Sequence, residues 1–205
     1  YEDALARLNE LVQMGTGAVE IKSGYGLTLD AELKILRVIK RLKEASDVTI
    51  KSTFLGAHAL PKEYKDNKNG YMDLVINEML PRIAQEKLAD YVDIFCEDGY
   101  FTVDDTKRLL EAANKFGIKA KTHVNQFNAI GGVKASIDLG ALSVDHLEEM
   151  AEEDYKALKE SNCMPTLLPG CSFFLGIPYG PAKQMMEKGL PVALASDYNP
   201  GSSPS

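Results

Sequence analysis

Short apolar runs recur along this sequence, each ending at a polar or glycine-rich corner and each followed by an amphipathic segment. Residues 18–22, 48–55, 91–96, 118–122, 142–144, 164–168 and 192–195 read as strands. Leu5, Leu8, Leu11 and Val12 mark a helix before the first of them, and Leu33, Leu36, Ile39 and Leu42 mark the helix after it. A helix is expected over 72–88, kinked at Pro81, after a polar turn at 65–70. Thr102 with Asp105 has capping-box spacing, and Gly117 closes that helix. Further helices are expected around 135–139, 154–159 and 181–188.

This alternation predicts a parallel sheet with helices outside it. The strand ends fall at Tyr25, His58, Glu97, His123, His146, Gly170 and Asp197, spaced as βα units. No G-x-G-x-x-G follows any strand, which disfavours an open dinucleotide-binding sheet. The expected fold is therefore α/β, a TIM (β/α)₈ barrel with about seven strands present and the first strand missing. Such a barrel typically takes about 250 residues; this chain has 205, read as one catalytic-barrel domain over 1–205.

The net charge of −7, with no basic patch interleaved with aromatics, argues against nucleic acid as a partner. No apolar run approaches the roughly 18 residues a bilayer span requires, so no membrane partner is expected. Cys96, Cys163 and Cys171 lack C-x-x-C spacing, which predicts free thiols and a cytoplasmic protein. The sequence opens at Tyr1 without Met or a signal peptide, and residues are expected upstream.

All three histidines sit at expected strand ends, the face of a barrel where active sites are built. His123, His146 and Asp197 fall on what would be strands five, six and eight. Imidazole and carboxylate suit zinc or iron, and such an ion makes a water molecule acidic near neutral pH.

This constellation resembles the amidohydrolase superfamily of metal-dependent hydrolases. Within it, the segments Glu-Ile-Lys-Ser-Gly-Tyr-Gly-Leu at 20–27, Leu-Gly-Ala-His-Ala at 55–59, Phe-Cys-Glu at 95–97, Val-Asp-His-Leu at 144–147 and Ala-Ser-Asp-Tyr-Asn-Pro-Gly-Ser at 195–202 resemble the imidazolonepropionase family. The resemblance implies hydrolytic opening of 4-imidazolone-5-propanoate to N-formimidoyl-L-glutamate in histidine degradation. It implies one zinc or iron ion per subunit, a small-molecule substrate and a possible homodimer. His123 and Asp197 match two metal ligands, and Asp197 also a proton shuttle for the attacking water. His146 matches the strand-six residue that polarises the ring carbonyl or assists proton transfer. Tyr25, His58, Gln126, Asn199, Gly201 and Ser202 match substrate contacts. The family's His-x-His pair on the first strand, an upstream Arg and a small β-domain have no counterpart here. Another superfamily activity, such as cyclic-amidine deamination, or a catalytically inactive barrel fragment are the alternatives.

Plainer roles stand beside these. Tyr25 between two glycines can simply shape a turn, and Asn199-Pro200-Gly201 has an ordinary turn composition. Cys96 is expected in the core. Glu97 is expected to serve structure rather than substrate, and Met185 and Met186 to be core residues.

Overall fold

The computed structural model describes residues 1–204. Elements follow in the order α1 (Glu2–Gln13), β1 (Ala18–Lys22), α2 (Leu29–Ala45), β2 (Thr49–Ala57), α3 (Lys68–Leu74), α4 (Leu80–Glu86), β3 (Tyr91–Cys96), α5 (Val103–Lys115), β4 (Lys119–Val124), α6 (Gly132–Asp138), β5 (Ser143–His146), α7 (Glu152–Lys159), β6 (Met164–Leu167), α8 (Pro169–Leu175), α9 (Ala182–Glu187) and β7 (Ala193–Leu194). This is the α/β pattern of a (β/α)₈ barrel, with seven strands among the described residues. The chain packs as two compact units. One holds Tyr1–Asp93 and Ala112–Ile118; the other holds Ile94–Glu111 and the residues from Lys119 onward.

In the first unit, β1 pairs with β2 in parallel, Ala18 opposite Thr49 through Lys22 opposite Thr53. A parallel pair needs a crossover, and α2 supplies it. Thr28 caps α2 by accepting a hydrogen bond from the Ala31 amide. Leu33, Leu36, Ile39 and Leu42 form its buried stripe, each side chain contributing about 1.5–3 kcal/mol by leaving water. Gly56 on β2 is required because the Phe54 ring lies where its Cβ would be.

The expected helix over 72–88 forms in three parts. It starts earlier than expected, at Lys68, because the Asn67 side chain accepts from the Gly70 amide. A π-helical turn at Val75–Met79 then precedes α4, where Pro81 sits in the first turn.

In the second unit, β4, β5, β6 and β7 pair in parallel and in chain order. The capping box before α5 forms: the Thr102 amide donates to Asp105 Oδ2 and the Asp105 amide to Thr102 Oγ1. Gly117 takes the left-handed conformation beyond α5. The strand expected to end at Pro169-Gly170 ends at Leu167, and Pro169 and Gly170 open α8, a helix not expected there. Cys96 is fully buried, as expected. Met185 is a core residue, whereas Met186 is 61% exposed because it lies on the outer face of α9. Among the described residues no helix is long and apolar enough to cross a membrane.

Glu32 is buried on α2, and its carboxylate accepts hydrogen bonds from the backbone amides of Gly24, Gly26 and Leu27. These charge-assisted bonds hold the loop after β1. Glu32→Ala should lower unfolding stability by roughly 3 kcal/mol, since buried amides would lose their acceptor; urea unfolding checks this.

Candidate active site

In the second unit, strand register brings two histidines together. His123 is the penultimate residue of β4 and His146 the last of β5, with Val124 opposite His146. Their rings lie 5.2 Å apart between centroids, tilted by 48°. Both residues are buried. Phe95, in the part of β3 that belongs to this unit, meets His123 edge-on at 6.3 Å.

The backbone at these strand exits is unusual. His146 has φ 89°, Leu147 φ 63° and Asn125 φ 57°. Left-handed conformations at non-glycine residues cost of order 1–3 kcal/mol and persist where surrounding structure imposes them. Here the Leu147 amide donates to the Val124 carbonyl, and the Glu149 amide to the Asn125 carbonyl. The Asn125 side chain adds bonds to the Glu149 carbonyl and to Asp154 Oδ2, both at or below 2.9 Å. The two exits are thus tied to each other.

The reversal at Leu147 turns Glu148 back toward the histidine. Glu148 Oε2 lies 3.5 Å from His146 Nδ1, with both side chains almost wholly buried. Glu148 Oε1 accepts from Ser172 Oγ at 3.0 Å. Ser172 and its neighbour Cys171 are buried on α8. Gln126, also buried, donates from Nε2 to Cys171 Sγ at 3.5 Å. Burial, then the nearby charge of Asp197, pushes the Cys171 thiol up to about 11; Glu148 adds in the same direction, and the Ser202 hydroxyl opposes them.

Asp197 is half-buried, with φ 51°. Its Oδ2 accepts from Ser202 Oγ at 2.8 Å. Asn199 organises the loop: its Oδ1 accepts from the amides of Gly201 and Ser202, and its Nδ2 donates to the Asp197 carbonyl and to Ser202 Oγ. The turn expected at 199–201 is therefore present, and it holds the backbone of Asp197.

Tyr25 and His58 belong to the first unit and meet there. Their rings are T-shaped at 5.3 Å, and His58 Nδ1 donates to the Gly24 carbonyl at 3.1 Å, since a carbonyl can only accept. Tyr25 is 62% exposed. It crowns the loop that Glu32 holds, so the turn-shaping and presentation of an aromatic ring coincide in one residue.

Glu148, Cys171 and Ser172 were not among the residues singled out by sequence. Glu148 stands two positions past His146, beyond the end of β5, where the left-handed His146 and Leu147 and not a strand set its direction. Cys171 was expected only as a free thiol, since no helix was read after β6.

As donors, His123 and Asp197 fit zinc or iron: one offers a buried imidazole, the other a half-buried carboxylate. The donor atoms of His146, Glu148 and Cys171 lie within 4.8 Å of one another.

No protein-family model matches the chain. Curated relatives match all of it. The imidazolonepropionase of Christiangramia forsetii is 62% identical over 205 residues, covering 100% of this chain and 50% of the relative. That of Flavobacterium johnsoniae is 60% identical over the same span, again 50% of the relative. The chain thus spans about half the length of the curated relatives it matches. Among solved structures, a guanine deaminase from C. acetobutylicum with bound guanine aligns with TM-score 0.71 at 15% identity, over 97% of this chain and 50% of the other. An atrazine chlorohydrolase from Arthrobacter aurescens complexed with zinc aligns with TM-score 0.70 at 13% identity, over 94% and 47%. At such identities these two establish the fold alone.

Glu97 has a structural role. Its buried carboxylate accepts from the amides of Asp98, Phe127 and Asn128 and from Asn128 Nδ2. Glu97→Ala should free the loop after β4, with faster hydrogen exchange at Phe127 and Asn128 and a stability loss of roughly 2–3 kcal/mol.

Proposed function

We propose, from a chain that belongs with the imidazolonepropionases over all of its 205 residues, that the complete protein opens 4-imidazolone-5-propanoate by hydrolysis. The product is N-formimidoyl-L-glutamate, a step of histidine degradation. The observation that carries this reading is the 62% identity along the whole chain. It is supported by the close pair of buried histidines at adjacent strand exits.

His123 and Asp197 would hold the zinc or iron ion, with further ligands supplied from outside these residues, since a catalytic site uses about three protein ligands. When bound, that ion supplies Lewis acidity and brings the acidity of water near neutrality.

The remaining work falls to side chains. Asp197 takes the proton of the attacking water, as a carboxylate within reach of it can. Its backbone is fixed by Asn199, so the carboxylate enters the reaction already placed. His146 donates a hydrogen bond to the ring carbonyl as negative charge builds on the oxygen. Its Nδ1 faces Glu148, leaving Nε2 for the substrate, where the ring can also assist proton transfer. Gln126 recognises the polar edge of the ring with its amide. Tyr25 and His58 position the substrate, and Asn199, Gly201 and Ser202 supply the loop that holds it or the ring-opened product. The protein works in the cytoplasm, where its three free cysteines stay reduced.

In the complete protein, His123→Ala and Asp197→Ala should each abolish hydrolysis and lower bound metal. Tyr25→Phe and His58→Ala should reduce turnover of imidazolonepropanoate while metal content stays near normal. Elemental analysis with a ring-opening assay separates these outcomes. Full metal in both of the first pair would remove the ligand assignment. Ammonia released in step with ring consumption would point to deamination instead.

A further inference from the structure

We propose that His146, Glu148 and Cys171 form a binding site for a borderline-soft divalent cation such as zinc, distinct from the ion assigned to His123 and Asp197. We further infer that filling it silences His146; this second part rests on the catalytic role proposed above.

The three side chains offer one nitrogen, one oxygen and one sulfur, with ligand atoms mutually within 4.8 Å. All are buried, at 2%, 7% and 0% exposure. His146 Nδ1 and Glu148 Oε2 are buried and have no hydrogen-bond partner. Polar atoms in that condition cost free energy unless something completes them.

Their separation distinguishes two ways of completing them. At 3.5 Å they stand beyond the 2.7–3.2 Å of an ordinary N–H···O bond. Two nitrogen or oxygen ligands on one tetrahedral zinc, each at about 2.0–2.1 Å, stand roughly 3.3 Å apart. The observed gap is nearer the second. Each donor is also held from behind. Ser172 Oγ grips the far oxygen of Glu148, and Gln126 Nε2 contacts the sulfur; outer partners of this kind orient metal ligands. The left-handed backbone at His146 and Leu147 sets the third.

Charge balance favours the same occupant. A neutral imidazole, a carboxylate and a thiolate neutralise one divalent ion, so the filled site buries no net charge. The thiol proton leaves to solvent as the sulfur–metal bond forms. Three protein ligands leave a fourth position for water. With Nδ1 tied to the ion and Nε2 carrying the ring's one proton, the imidazole can no longer take up and pass on a second proton, the transfer its catalytic role uses.

The test uses the complete protein, stripped with a chelator and titrated with Co²⁺. Binding should proceed beyond one equivalent per chain, and the later equivalent should bring a near-ultraviolet thiolate-to-cobalt charge-transfer band. Cys171→Ser and Cys171→Ala should both lose that band and that equivalent while keeping the first equivalent and the native circular dichroism. Zinc added beyond one equivalent should inhibit hydrolysis in the wild type. Each variant should need at least about tenfold more, the scale on which even outer partners of a ligand act. Absence of the band in the wild type, or its survival in both variants through Cys96 or Cys163, overturns the site and leaves the trio as a cluster that positions His146. If the band forms as expected but the first equivalent supports no ring opening, the catalytic reading fails and the cation site stands.

Discussion

Parallel pairing of β4 through β7 makes every strand of the second unit leave the sheet at the same edge. Everything chemical in that unit follows from this directionality. A one-residue slip between β4 and β5 would carry His146 to the opposite face and part it from His123. The register is therefore held twice, by the ladder itself and by the bonds that Asn125 makes across the two exits. The strained residues are the places where the chain turns sharply without losing that register.

Buried carboxylates are the main tool by which this acidic chain fixes its loops. Glu32 takes three backbone amides, and Glu97 takes three amides and one side-chain amide. Asp154 accepts from the Ala151 amide and from Asn125, though burial still raises its carboxyl above the usual range. Glu148 departs from the pattern. One of its oxygens is satisfied by Ser172 and the other faces an imidazole at a distance too long for a good bond. The contrast separates acids that hold the scaffold from the one that has something left to bind.

Much of the fold was legible because strands buried between helices are marked by short apolar runs. The limits read for β1 and β3 coincide with the observed Ala18–Lys22 and Tyr91–Cys96. Helix α8 was not legible: Pro169-Gly170 is turn composition, but proline is tolerated in a first helical turn, and the packing of Cys171 and Ser172 carries the helix onward. At the site, the histidines announced themselves by sitting at strand ends, and the His123–His146 pair follows from that placement. Glu148 was not singled out, since it lies past the end of β5, where two left-handed residues, His146 and Leu147, set its direction. The π-turn at Val75–Met79 was likewise unreadable, although Pro81 signalled a disturbance nearby.

The tie between Glu32 and the Gly24–Leu27 loop has an evolutionary corollary. Each residue along a helix advances the side chain by about 100° around its axis. One residue inserted or deleted between the Thr28 cap and Glu32 would swing the carboxylate away from all three amides at once. Loops normally absorb changes of length freely. This stretch cannot, because its span is measured against a helix face, and descendants of this sequence should vary here in side chains but not in number of residues.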